Sequence, residues 1–526
     1  MSVHEKGHRS RKALAIGVLV LLALLSAANY KIVKEPLRQL IRRELTFEDF
    51  TDKIQEGYIS DSFALKTDFV NINGLFARLT GRRTLNDVIK LNNGMLERTL
   101  RDVDITSLAE AISEFSDYLG EQDIPFFYIQ MPVKESLDGQ STPTGITVYG
   151  NRNADNLLAR LSAEDVEILD LRPFISQTPE MLEQHFYRTD HHWSSDGAFA
   201  AFQEIAAYLH EAFPEGNIDV TYAQADQWER HEIDNWFLGS VGKRVGVFFG
   251  GTDPLIWHTP RFETEMSCAV PLHGYFYRGD FAQANIRTMY TEEKDYFNDN
   301  PYYVYIGGDY PLVQHRNLNA PSPMKVLILQ DSFTRPLQTF LSTVFQEIDV
   351  VDPRYYSECT MAQYVARTEP DLVILAVNPS QFGHRGYRNL GVEEAASISA
   401  EESFFETVVQ QDIRVEMSDS DQNCEACLLD AGAVYRVTFE GVDVLAGQTE
   451  GAGLRLYDKT TETVLGNVMF DLAYCEAADG FHWTFQTPDT QDEYQLLFYA
   501  GIYGAAAGNS VVYRDVTVEK LCGSGS

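Results

Sequence analysis

Residues 186–199 read FYRTDHHWSSDGAF, placing one carboxylate, two imidazoles and an indole side by side at Asp190, His191, His192 and Trp193. A carboxylate beside an imidazole can orient a general base, and the same side chains can ligate a metal. Three uses are open on the residues alone. The stretch could be a metal site, with His185 as a further ligand type. It could be two members of a nucleophilic triad, or a helix entrance whose histidines bond only backbone and solvent. The additional aspartate motifs that manganese phosphoesterases need at set places are not found, so no metal is expected.

A triad needs a nucleophile. Ser332, in Asp331-Ser332-Phe333, stands where the apolar run Val326-Leu327-Ile328-Leu329 ends and a helix is expected to begin. Reactive groups of open α/β sheets collect at the carboxyl ends of strands. Backbone N–H groups at a helix start suit a developing oxyanion, with that of Ser332 as the first candidate donor. The same position also suits a helix cap. In an extended segment alternate side chains share a side. Asp190 and His192 would then be neighbours, with His191 pointing away, and the free nitrogen of His192 would face Ser332. Lys134 and Arg335 could bind substrate or serve as surface charges. Trp193 could stack on a sugar or pack beneath the motif. Asn378, at a strand end, is equally open.

Several elements must hold these groups. Ile105, Leu108, Ile112, Phe115 and Leu119 recur at helical spacing, with Ser107 and Glu110 at capping-box spacing. PFFYIQMP (125–132) and VEILDLRP (166–173) read as strands. Ala198, Phe199, Phe202, Ile205, Ala206 and Leu209 form one helical face, capped by Ser194 or Ser195. MKVLILQDSF (324–333) reads as a strand leading into a helix through about 346. EIDVVD (347–352) and DLVILAV (371–377) read as strands around a helix over 361–367. Alternation of this kind predicts a parallel sheet with helices on both faces. Residues 215–320 show no long period and read as a long irregular insertion with short strands. From 433 onward, period-two runs separated by Gly- and Asp-rich turns predict a β-sandwich or jelly roll. The expected domains are a tail and anchor at 1–29, a stem at 30–95 and an α/β domain at 96–385. A linker at 386–415 and a sandwich at 416–526 follow.

Composition narrows the setting. A net charge of −35 over 526 residues repels phosphate backbones, so nucleic acid is not an expected partner. Lys6, Arg9, Arg11 and Lys12 precede an uncharged apolar run from Ala13 to Ala28. This predicts a single membrane anchor or a signal segment cleaved near Ser26-Ala27-Ala28, with the bulk of the chain outside the cytoplasm either way. Cys424, Cys427, Cys475 and Cys522 lie near the end, and in an exported chain four cysteines allow three disulfide pairings. Trp483, Tyr494, Tyr499 and Tyr503 could form a stacking platform for sugars or belong to the sandwich core.

The block TDHHWSSDGAFAAF, together with FFYIQMPVK, VEILDLRP, FLGSVGKRVG and LILQDSF, resembles the signature of the DHHW family of exported bacterial proteins over roughly residues 65–385. That family resembles the SGNH-hydrolase-like domains of alginate O-acetyltransferases, where an Asp-x-His pair precedes a late serine on a flavodoxin-like sheet. The resemblance implies a triad of Asp190, His192 and Ser332, its order permuted relative to ordinary SGNH hydrolases, whose serine comes first. Gln330 departs from the glycine or lysine that often precedes Asp-Ser. The β-rich tail fits the carbohydrate-binding sandwich that alginate acetyltransferases also carry. The resemblance further implies O-acyl transfer, most simply acetyl transfer, to a cell-surface or exported polysaccharide without a cofactor. A chain with at most one membrane segment cannot carry acyl groups across a bilayer, so a polytopic membrane-bound O-acyltransferase is the implied partner. An esterase using the same triad, and a non-catalytic glycan-binding or scaffold protein of an export complex, are the alternatives.

Overall fold

The computed structural model describes residues 29–43, 46, 65–273, 275–357, 359–392, 405–416, 426–446, 451–461, 463–471, 481–488, 490, 492–500 and 510–521. The apolar run at 13–28 lies outside them. Among the described residues no helix is long and apolar enough to cross a membrane.

Eight strands build the central sheet: β1 (Phe126–Gln130), β2 (Ile168–Asp170), β3 (Met266–Val270), β4 (Tyr275–Gly279), β5 (Leu312–Asn317), β6 (Ser322–Gln330), β7 (Phe345–Val351) and β8 (Leu372–Val377). Their order is β2-β1-β8-β6-β7-β5-β3-β4. The first five pair in parallel, with Leu329 beside Leu375 and Ile374 beside Phe127. The last three are antiparallel. The expected parallel sheet is therefore present, extended at one edge by three antiparallel strands into a mixed sheet. The segment expected as an irregular insertion with short strands supplies β3, β4 and β5; β3 is buried throughout and so shows no alternating pattern.

Helices cover both faces: α1 (Lys66–Leu79), α2 (Thr106–Gly120), α3 (Gly150–Ala163), α4 (Ser195–Ala212), α5 (Ser240–Val245), α6 (Thr334–Leu341) and α7 (Met361–Thr368). Ile129, Ile328 and Ile374 face one core with Phe199 and Phe202 of α4. Tyr128, Leu329 and Leu375 face the other with Leu108 and Phe115 of α2. Burying each such aliphatic side chain contributes about 1.5–3 kcal/mol. This double burial explains why β6 and β8 read as unbroken apolar runs.

Local start signals divide. Ser194 caps α4, its Oγ accepting from the Gly197 N–H at 3.3 Å. The capping box read at Ser107 and Glu110 does not form; α2 begins one residue earlier, where Asp104 accepts from Thr106 N–H at 3.0 Å. The helix after Ser332 ends at Leu341, five residues short of expectation, because β7 has begun by Phe345.

Two boundaries also move. α1 and the strands at 84–98, expected as stem, pack through Ala77, Leu85, Val88 and Leu96 onto Val241, Val245 and Phe249. Residues 405–416, expected as linker, pair with 510–521 inside the C-terminal unit. That unit is two antiparallel sheets closed over one core containing Val437, Leu454, Trp483, Phe498 and Val518. Its Tyr499 packs with Ala269 and Phe276 of β3 and β4.

Candidate active site

Ser332 stands just past the carboxyl end of β6. The turn that presents it is made by the fully buried Asp331, whose Oδ1 accepts from Phe333 N–H at 2.9 Å and whose Oδ2 accepts from Asn378 N–H at 2.7 Å. One carboxylate thus ties the ends of β6 and β8 together. Gln330 adds a second tie. Its Oε1 accepts from Gln338 Nε2 at 3.0 Å and from Thr334 Oγ1, and its carbonyl accepts from Tyr387 Oη at 2.6 Å. A glycine or lysine here would make neither side-chain bond. Phe333, not Ser332, occupies the cap position of α6, so the serine hydroxyl is not spent on capping. Among the described residues nothing accepts from the Ser332 N–H, which leaves it available to an oxyanion.

The DHHW stretch is a tight loop closed by a bridge between Phe186 and Trp193. It is bent, not extended. Asp190 and His192 meet because the Asp190 side chain folds back on its own backbone: Oδ1 accepts from His192 N–H at 3.0 Å and from His192 Nδ1 at 2.5 Å. A carboxylate only accepts, so Nδ1 carries the ring proton and Nε2 presents a lone pair. That lone pair lies 2.8 Å from Ser332 Oγ. Burial would raise the Asp190 carboxyl. The imidazoles of His192 and His191 and the hydrogen bonds from His192 outweigh it and hold the group well below the usual carboxylate range.

The bend also corrects the expectation for His191. Its ring lies 3.7 Å from that of His192, tilted by 38°, and its Nδ1 lies 2.8 Å from Ser240 Oγ. Burial and the neighbouring His192 push it well below the ordinary imidazole range. By residue type Asp190, His191 and His192 are a metal-ligand group, with ligand atoms within 4.8 Å of one another. Hydrogen bonds occupy Asp190 Oδ1 and the Nδ1 atoms of both rings, and Ser240 N–H donates to Oδ2, so a metal there would have to break the row from Asp190 to Ser332.

Three tertiary supports hold the loop. The Ser240 N–H donates to Asp190 Oδ2 at 2.6 Å. A Cβ on Gly239 would come within 2.3–2.5 Å of Asp190 atoms, two of them backbone, so only glycine fits there. The buried Asp253 carboxylate accepts from Arg188 N–H at 2.5 Å and Thr189 N–H at 2.8 Å. Tyr302 stacks on the His192 ring at 4.0 Å and 11°, and its hydroxyl reaches the carbonyls of Ser332 and Phe333 at 3.2 and 3.3 Å.

The four residues read as substrate-binding candidates are placed otherwise. Lys134 is fully buried and donates to the carbonyls of Tyr187 at 2.8 Å, Arg188 at 3.4 Å and Asp190. Burial pushes its ammonium down, and Glu97, Asp253 and Asp190 oppose that. Trp193 is fully buried and donates to Phe333 O at 2.8 Å, joining the histidine loop to the serine turn. Arg335, 2% exposed, bonds Gly308 O and pairs with Asp309. Asn378 Nδ2 donates to Pro132 O at 2.8 Å, and its Oδ1 accepts from Ser380 N–H at 3.0 Å. All four position other groups. Lys134→Met should leave the buried carbonyls of Tyr187 and Asp190 without this donor, whereas Arg188 O keeps its bond from Leu96 N–H at 2.8 Å, and cost roughly 2–4 kcal/mol. Chemical denaturation checks this, and kcat should fall more than KM rises, since no substrate contact is removed.

Tyr302, Asp253, Gly239 and Ser240 were not found from sequence. A lone Tyr or Asp in an aperiodic segment carries no signal, although FLGSVGKRVG was visible as a block. Of the two readings of the tail aromatics, the core one holds for Trp483, Tyr494 and Tyr499, each at 2% exposure or less, and Tyr503 lies outside the described residues. Cys427 is unpaired among the described residues, and Cys424, Cys475 and Cys522 lie outside them. A cavity of about 630 Å³ bordered by Tyr187, Arg188, Asp196, Arg230 and Asp253 opens behind the loop, without contact to Ser332.

Residues 92–232 match the family described as the SGNH hydrolase-like domain of acetyltransferase AlgX. No curated protein matches the chain. Among solved structures, PatB1 of Bacillus cereus is 22% identical, over 57% of this chain and 98% of that one, with a TM-score of 0.49. A DHHW family protein from Eubacterium siraeum is 18% identical over 59% and 98%, at 0.42. AlgX of Pseudomonas aeruginosa is 12% identical over 83% and 94%, at 0.35. The chain thus carries an SGNH hydrolase-like domain joined to a β-rich C-terminal region.

Proposed function

We propose that this protein transfers an acyl group, acetyl in the simplest case, to a hydroxyl of a cell-surface or exported polysaccharide by way of an acyl-serine. The observation that carries the reading is the row Asp190–His192–Ser332, with contacts of 2.5 and 2.8 Å and the proton placed on His192 Nδ1. The family matched over 92–232 supports the acyl chemistry by its description.

In the first half-reaction Ser332 Oγ attacks the acyl carbonyl carbon and its proton passes to His192 Nε2. The carbonyl oxygen becomes an oxyanion at the Ser332 N–H. The imidazolium is stabilised by Asp190 and by the face of the Tyr302 ring. As the oxyanion collapses, the bond to the donor breaks, and the leaving group takes the proton from Nε2. In the second half-reaction a sugar hydroxyl gives its proton to Nε2 and attacks the acyl-serine. The acyl group moves to the sugar and the proton returns to Ser332 Oγ. On this reading the run at 13–28 anchors the chain, and a polytopic membrane protein supplies the acyl donor.

The test separates transfer from hydrolysis. The protein is given an activated acetyl ester together with polysaccharide acceptor, and acetylated sugar is measured against free acetate. Acetylated sugar in excess, rising with acceptor concentration, is expected. Free acetate alone at every acceptor concentration would make the protein an esterase with the same triad.

A further inference from the structure

One helix carries two apolar faces. On α1, Gly74 and Ala77 are buried, and a Cβ on Gly74 would lie 2.1 Å from the Val245 carbonyl. The helix backbone therefore rests directly on the end of α5. Asn71 pins it further, accepting from Val247 N–H at 2.8 Å. At 100° per residue, Phe69, Ile72, Phe76 and Leu79 fall within an arc of about 80° on the opposite side. Ile72 is 48% exposed, Phe76 63% and Leu79 73%, with Leu65 at 52% beside them. So many large side chains on one outward arc form an interaction surface, not scattered exposure.

Charge identifies the partner. The chain as a whole carries −35, yet residues 66–83 hold four basic side chains (Lys66, Arg78, Arg82 and Arg83) against one acid, Asp68. Arg78, Arg82 and Arg83 are exposed. Three of the four cations gather at the C-terminal end of the helix, where Arg78 lies on the side of Gly74 and Arg82 and Arg83 follow Leu79. An apolar arc ending in a basic cluster suits a membrane interface, with side chains among acyl chains and cations at anionic headgroups. An acidic protein partner would suit the cations but not the apolar arc. A second copy meeting the same helix face would set these arginines against their own counterparts. The helix also follows residues 13–28, the expected anchor, by fewer than forty residues in sequence.

We infer that α1 docks on an anionic lipid surface. Because the neighbouring α5 carries Ser240, which holds Asp190, docking would fix the orientation of the Ser332 site relative to the bilayer. The inference does not depend on the acyl-transfer reading.

The test uses the full-length chain in vesicles of phosphatidylglycerol and phosphatidylcholine with brominated acyl chains. The fluorescence added by Phe76→Trp over wild type is compared with that added by Leu428→Trp, at a 67% exposed position of the C-terminal unit. The F76W increment should fall by about half or more while the L428W increment is unchanged. Pairing F76W with Arg82→Glu and Arg83→Glu, or using phosphatidylcholine alone, should restore most of it. In every form circular dichroism must show the wild-type fold. An unquenched F76W overturns the inference, as does an emission shifted to the blue without quenching, which would mean that protein covers the arc. Equal quenching in phosphatidylcholine alone would refute the anionic requirement.

Discussion

Ser332→Ala is expected to lower turnover of an activated acetyl ester by on the order of 10⁴-fold or more and to leave stability nearly unchanged. The two halves of this prediction come from different observations. Activity falls because no neighbouring hydroxyl can substitute: Ser240 Oγ faces His191, and Ser195 Oγ lies between His258 and Tyr305. Stability holds because Ser332 caps no helix and its turn is built by Asp331, Gln330 and Tyr302. The lost bond to His192 costs about 1 kcal/mol at most. Steady-state kinetics and thermal unfolding on the same preparation check both halves.

Asp190→Asn should also reduce kcat on the order of 10⁴-fold, the scale such a change has in serine-protease triads, but here with a stability cost of about 1–3 kcal/mol. An amide has one acceptor where this site needs two. With its oxygen toward His192, its NH₂ meets the Ser240 N–H; with the amide flipped, its NH₂ meets the His192 N–H and drives the ring proton from Nδ1 to Nε2. The second outcome leaves no lone pair for Ser332. The pH dependence of stability carries a sign as well. The Asp190 carboxyl titrates below its unfolded value, so its contribution is present above that value, about pH 3.9, and is lost as pH falls through the lower folded value. The stability difference between wild type and D190N should therefore shrink in strong acid, as denaturant titrations across that range will measure.

Much of the framework was legible because it is local or periodic. The face of α4, a serine cap at 194 or 195 and the doubly buried strands β6 and β8 follow from spacing alone. The meeting of Asp190 and His192 was legible for an instructive reason. Residues two apart come together in an extended strand and also in a loop where an aspartate bonds the backbone two residues on. The pair was found, but the assumed geometry was wrong, and the error surfaced at His191, whose ring the bend brings against that of His192.

Lys134, Trp193, Arg335 and Asn378 stayed open between substrate contact and a structural role for a different reason. Each is a polar or aromatic residue near a strand end or motif, where substrate contacts are expected. Whether such a side chain faces solvent or a buried carbonyl depends on partners far away in sequence, such as Pro132 for Asn378 and Phe333 for Trp193. Tyr302 is the reverse case, a residue without any sequence signal that meets His192 only through the fold.

The central claim is that His192 activates Ser332 as a nucleophile. It is tested most directly by incubating the full-length protein with para-nitrophenyl acetate, quenching, and locating the added mass by peptide mapping, with Ser332→Ala and His192→Ala alongside. The account predicts one acetyl group on the peptide containing Ser332, absent from both variants. An acetyl group on another residue, or labelling that survives in the folded variants, would contradict it and return the two histidines to a structural role.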